Sequence, residues 1–181
     1  MEVVARGVLI ADGHILLCRN VKHGYSYLPG GHVDPGESAA HALAREFMEE
    51  AALPIRVGGP LAVSENVFTQ GGVRHHEVNL VFHVEHPHQP HGAQAQTMRG
   101  GAAAGSGSLA GGTDSGLRQV GFGAAPHPSG GMFHVEPQES KIDFWWCPIR
   151  ELKSSGMVPS SLVTWIMSGM PPGVLLTHIE A

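Results

Sequence analysis

Between residues 28 and 53 a glycine-dense loop runs straight into a strongly patterned helix, and this junction limits the folds open to the chain more than any other stretch. The loop reads Leu-Pro-Gly-Gly-His-Val-Asp-Pro-Gly-Glu. Pro35-Gly36 suits the centre of a type II turn, because proline presets φ at the first central position and glycine accepts the positive φ at the second. Ser38 follows as a helix N-cap. The next thirteen residues, AAHALAREFMEEA, place Ala40, Leu43, Ala44, Phe47 and Ala51 on one apolar stripe with the charged residues opposite. Pro54 ends the helix. Such a stripe must be covered by other apolar elements.

The flanks supply strands. Residues 3–11 are β-branched and apolar, Asp12-Gly13 favours the positive φ angles of a tight connection, and 14–19 alternate around Ile15, Leu16 and Leu17, so this part reads as a hairpin. Further strand signals lie at 61–68 and 73–84, joined by a turn at Gly71-Gly72. Val78, Leu80, Phe82 and Val84 share one face by period-two alternation. Residues 141–147 read as an aromatic-rich strand, 149–154 as a short helix, and 159–167 as a C-terminal helix with Pro159 in its first turn. Strands, helix, strands, then helices suit an α+β domain, a mixed sheet with helices packed on it.

One segment does not belong to that pattern. Residues 87–131 hold 12 of the chain's 25 glycines and 8 alanines but only three charged residues, Arg99, Asp114 and Arg118. It cannot bury enough apolar area to offset its ordering entropy, so it reads as a mobile insertion in a single domain spanning 1–181. His86, His88 and His91 sit at its start with neither cysteine pairs nor helical spacing, which favours a tether over a metal site.

Charge and cysteine usage exclude other classes. Sixteen acidic against 11 basic residues give a net charge of −5, with no basic run, so binding to nucleic-acid polymers or to a membrane surface is not expected. No apolar run approaches the roughly 18 residues of a membrane span. Residues 1–11 lack a secretory signal's basic start, and Cys18 and Cys147 read as two reduced, semi-buried thiols of a cytoplasmic protein.

Glu46, Glu49 and Glu50 recur at i, i+3 and i+4, so a helix brings their carboxylates onto one surface, with Arg45 four residues before Glu49. Alone, this is what a solvated acidic face also looks like. The preceding Gly30-Gly31 changes its meaning, because bare backbone can approach a ligand or metal closely. Clustered carboxylates are hard ligands suited to Mg²⁺ or Mn²⁺.

The stretch GHVDPGESAAHALAREFMEEAAL, residues 31–53, resembles the signature of the Nudix (MutT-like) hydrolase family. Gly31, Glu37, Arg45, Glu46, Phe47, Glu49, Glu50 and Leu53 match in register, and the long fixed gaps make the pattern far more specific than a lone glycine motif. Ala52 departs from it, since family members usually carry glycine there as a left-handed helix cap. Further likeness extends over residues 2–86 and 132–167.

The resemblance implies the Nudix fold, a mixed sheet sandwiched between helices (α/β/α), and hydrolysis of a nucleoside diphosphate linked to another moiety. A non-catalytic nucleotide sensor on the same fold is the alternative. In the implied site Glu46, Glu49, Glu50 and the Gly31 carbonyl hold Mg²⁺, with Mn²⁺ as a substitute. Arg45 orients the carboxylates, and Glu37 and Leu53 shape the motif. The general base is a box glutamate, Glu46, or a remote one, Glu139, which reads equally well as an exposed loop charge. Arg19, Arg74, Tyr27 and His76 are further substrate-binding candidates, although adjacent strand residues such as His75 and His76 point to opposite faces. Tyr25, Tyr27 and Phe68 could stack on a base or pack in the core. A homodimer is compatible with the resemblance, and the substrate class remains open among nucleotide derivatives.

Overall fold

The computed structural model describes residues 1–87 and 132–180, which fall in one compact unit. Its organising strand is β3 (His14–Asn20). Ile15, Leu16, Leu17 and Cys18 are all fully buried, because alternate side chains enter two different cores. Leu16 and Cys18 join Leu43, Phe47 and Ala51 on one side, whereas Ile15 and Leu17 join Leu162, Val163 and Trp165 on the other. A strand buried on both faces reads as a continuous apolar run.

Two four-stranded sheets carry these cores. The first sets β1 (Glu2–Val8) parallel to β6 (Val73–Glu85), which pairs antiparallel with β5 (Arg56–Gln70), which is parallel to β8 (Val174–Ile179). The second is antiparallel, with β2 (Ile10–Ala11), β4 (Ser26–Tyr27) and β7 (Ile142–Pro148) all pairing β3. Helix α1 (Ala39–Ala51) covers one core, and α2 (Ser160–Met167) with a 3-10 turn (Ile149–Ser154) covers the other. A mixed sheet and an antiparallel sheet between helices make up the α+β architecture expected from the sequence. Phe47 is 1% exposed.

Several local expectations change. The strand expected over 3–11 breaks at Leu9, whose carbonyl accepts the Leu16 N–H at 2.9 Å, so the chain passes there from one sheet to the other. The strand expected at 61–68 begins at Arg56, and its register shifts on both sides of Pro60, which cannot donate to the ladder. Strands β4 and β8 were not anticipated. On α1 the buried positions are Ala42, Leu43, Phe47 and Ala51, while Ala40 faces solvent, a small rotation from the predicted stripe. In β6, Phe82 packs with Val84 under α1, but Val78 and Leu80 are only half-buried and deeper burial falls on Asn79 and Val81. Cys18 and Cys147 are free and fully buried rather than semi-buried. They lie in opposite cores, and burial pushes the Cys18 thiol up to about 12.

Helix α1 keeps its left-handed ending despite the alanine. Ala52 has φ 47° and ψ 32°, its N–H donates to the Met48 carbonyl, and the Leu53 N–H donates to the Phe47 carbonyl. This is the Schellman pattern, normally closed by glycine. Ala52→Gly is expected to raise stability by up to about 1 kcal/mol, partly offset by the greater freedom of glycine in the unfolded chain. Thermal unfolding should show a rise of roughly 2–4 °C.

The segment predicted as an insertion lies, apart from Pro87, outside the described residues. Its flanks meet, because the His86 and Phe133 rings are 4.7 Å apart. A short Gly-Ser bridge replacing residues 88–130 should therefore preserve the melting temperature to within a few degrees, measured by circular dichroism. A collapse in stability would show that the segment packs on the body.

Candidate active site

The loop entering α1 is built as its residues predict. Glu37 N–H donates to the Asp34 carbonyl at 3.0 Å across a turn in which Gly36 has φ +88°, and Ser38 Oγ accepts the His41 N–H at 3.2 Å. Arg45 then clamps loop to helix. Its Nε and Nη2 each lie 3.1 Å from a Glu37 carboxylate oxygen, Nη2 also donates to the His32 carbonyl, and Nη1 lies 3.0 Å from both Glu46 and Glu49. The guanidinium holds the Glu37 carboxyl below its usual range, which fits the bidentate fork of such pairs.

The three helix glutamates do not share one environment. Glu46 and Glu50 continue the row that begins with buried Ala42, so they border the core and line a cavity. Glu49 belongs to the outer row with Arg45, and its side chain is 58% exposed. Glu50 is the unusual group. Its Oε2 is buried with no hydrogen-bond partner among the described residues, and burial, reinforced by the nearby Glu46 charge, pushes its carboxyl from 4.5 up to about 7.

Gly30 and Gly31 are needed for this proximity. The loop is zipped onto β1 by Gly7 N–H to the Pro29 carbonyl and Ala5 N–H to the Gly31 carbonyl, both 2.9 Å. Gly30 has φ +125°, and a Cβ there would overlap the Ala5 carbonyl; a Cβ on Gly31 would overlap the Glu46 carboxyl group. The predicted role of the Gly31 carbonyl must therefore use the lone pair that Ala5 leaves open.

The cavity measures about 650 Å³. Glu46 and Glu50 lie at its wall with Gly31, and Tyr25, Tyr27 and Phe68 contribute aromatic surface. Of Arg19, Arg74, Tyr27 and His76, only Tyr27 lines it. Arg19 is exposed and stacks 5.0 Å over Trp145. Arg74 is exposed near the Glu180 carbonyl. His76 bonds Glu65 at 2.9 Å, whereas His75 stacks on Phe68, as alternation along β6 requires. Glu139 is outside the lining, but Gln138 N–H donates to the Glu50 carbonyl at 2.7 Å, and the Glu139 charge helps to raise the Glu50 carboxyl.

Sequence reasoning missed Arg6, Asn79 and Asn66, which line the same cavity from β1, β6 and β5. Period-two alternation put Arg6 between buried Val4 and Val8, a signal that an inward charge was present. Its target depended on the pairing of β1 with β6.

The donor set suits a hard divalent cation. Among the described residues no three His, Cys, Asp or Glu side chains group closely enough to hold a metal ion, and Glu49 lies on the outer row beside Arg45. Mg²⁺, however, is usually bound by one or two carboxylates with waters and substrate phosphates. Glu46 and Glu50 meet that requirement, and the unpartnered Glu50 oxygen is costly to bury unless something pairs with it.

The NUDIX domain model matches residues 1–103. Among solved structures, the mutator MutT protein from Bacillus halodurans superposes with TM-score 0.58 at 14% identity, covering 98% of this chain and 90% of that one. The E. coli ORF135 protein gives 0.53 at 20% identity, covering 93% and 89%. The MutT protein from Methanosarcina mazei Go1 gives 0.54 at 16% identity, covering 92% and 91%. These likenesses concern the fold, and the domain match covers more than half of the sequence, including the whole loop-helix motif: the chain belongs to the Nudix family of hydrolases.

Proposed function

We propose that the protein hydrolyses the phosphoanhydride bond of a nucleoside diphosphate linked to another moiety, with Mg²⁺ as cofactor and Mn²⁺ able to replace it. The observation that carries this reading is the Glu46–Glu50 pair at the cavity wall, with a buried Glu50 oxygen that no donor among the described residues satisfies. Glu46 and Glu50 would hold the cation with the free lone pair of the Gly31 carbonyl, and the Glu49 carboxylate would complete the set only on leaving its contact with Arg45. A bound divalent cation supplies neutralisation of phosphate charge and a lowered pKa for the attacking water.

The chain's own residues do the rest. Arg45 fixes the Glu46 carboxylate through one oxygen, and Glu46, which lines the cavity, would take the proton from the attacking water. Glu139 acts on the site through its charge on Glu50 and is a positioning residue. Tyr25, Tyr27 and Phe68 offer ring faces for a base. Two buried reduced thiols suit a cytoplasmic setting.

The test is a panel of nucleoside triphosphates, dinucleoside polyphosphates, ADP-ribose and nucleotide sugars with Mg²⁺, the products identified by mass. Cleavage between two phosphates of any member supports the reading. Saturable binding without turnover across the panel would make the protein a nucleotide sensor instead.

A further inference from the structure

Arg6 contributes the only Lys or Arg side chain to the lining of the cavity among the described residues. It is half-buried, and its hydrogen bonds go to neutral acceptors. Nε donates to Asn79 Oδ1 at 3.2 Å, and Nη1 donates to the carbonyls of Leu28, at 3.2 Å, and of Gly30. Asn79 is itself 3% exposed and is oriented by donating to Glu77 at 3.2 Å. The guanidinium carbon lies 5.0 Å from the Tyr27 ring centroid, a cation–π contact that fixes the plane of the fork.

What this arrangement lacks is a direct ion pair, although the Glu50 charge acts on Arg6 through space. Among the described residues Arg6 forms no ion pair and its Nη2 has no hydrogen-bond partner, although Glu46, Glu50 and Glu77 line the same cavity. A partly desolvated cation without an anion is costly. Neutral carbonyls hold the group in place without quenching its charge, so an incoming anion meets a pre-positioned donor. A guanidinium matches phosphate oxygens in both charge and geometry.

We propose that Arg6 is a substrate-binding residue that grips phosphate oxygens of the diphosphate group, with Asn79 and Tyr27 as its positioning residues. This rests on the hydrolytic reading above in taking the ligand to be a diphosphate. It gives a net-acidic chain a fixed positive charge inside its cavity.

The experiment is calorimetric titration of inorganic pyrophosphate, ADP and adenosine into the full chain in EDTA at low salt. Arg6→Gln is expected to weaken pyrophosphate and ADP about tenfold or more and to leave adenosine within twofold of wild type. Pyrophosphate binding unchanged in Arg6→Gln would overturn the assignment, as would equal weakening of pyrophosphate and adenosine, the mark of a residue that only shapes the loop. If Arg6→Gln does not fold, the Arg6 side-chain ¹⁵N signals of wild type decide: they shift on adding pyrophosphate, or the proposal falls. No turnover occurs in EDTA, so the two readings separate. Arg6-dependent pyrophosphate binding without hydrolysis in the panel sinks only the hydrolytic reading, and hydrolysis with Arg6-independent binding sinks only this one.

Discussion

Glu50→Gln is expected to lose activity while gaining stability in the metal-free protein. The amide keeps the shape of the side chain but removes the charge that a divalent cation requires, so Mg²⁺-dependent turnover should fall by about 10²–10³-fold, the scale of losing one major electrostatic contact in a site. Stability should move the other way. The Glu50 carboxyl titrates at about 7 in the fold against an ordinary 4.5, because burial and the Glu46 charge favour its neutral form. Between those values the folded chain holds more protons than the unfolded one, so stability falls as pH rises. The contribution is fully present below pH 4.5 and is lost as pH passes 7.

The full difference is at most about 3 kcal/mol. Metal-free Glu50→Gln should therefore be about 1–3 kcal/mol more stable than wild type at pH 8 and should show a flatter pH dependence in urea unfolding. Equal stability at pH 8 would place the wild-type carboxylate in a better-solvated setting than its unpartnered buried oxygen implies. Arg6 partly opposes the shift, whereas Glu139 and Glu49 add to it.

Gly31→Ala is expected to fold and to be nearly inactive. An added methyl would overlap the Glu46 carboxyl group, which must rotate away from the cavity and from its 3.0 Å contact with Arg45. Gly31 carries no positive φ, so the backbone accepts alanine and the cost falls on the site. Turnover should drop about 100-fold, since small misplacements of catalytic groups have effects of this size, while the melting temperature moves by only a few degrees. Gly30→Ala makes the contrast. There the methyl would meet the Ala5 carbonyl at a φ of +125°, and both stability and activity should fail.

The parts of the site legible in the sequence are those set by local geometry. The Pro35-Gly36 turn, the Ser38 cap and the i, i+4 relation of Arg45 and Glu49 span a few residues, and each is found as expected. The division between Glu46 with Glu50 and Glu49 was less legible, because it depends on a small rotation of α1 that buries Ala42 and exposes Ala40. Arg6 was not legible as a site residue. Its partner Asn79 is 73 positions away, and only the parallel pairing of β1 with β6 brings them together.

The same reason accounts for the sheet. The Asp12-Gly13 turn announced the β2–β3 hairpin, but nothing local says that the run before it changes sheets at Leu9. Nor does the VLLTHI segment reveal that it will lie parallel to β5, which brings His178 to the cavity. The strand expected from residue 61 begins at Arg56, so the Gly-Gly-Pro sequence at 58–60 is an irregularity within β5.

The most direct test of the account is the rate of phosphoanhydride hydrolysis against Mg²⁺ concentration, measured for wild type and Glu50→Gln side by side on a substrate drawn from the panel. Wild type should show a saturable rise and none in EDTA, and the variant a loss of about 10²-fold or more. Equal rates in the two proteins, or wild-type turnover unaffected by EDTA, would contradict it.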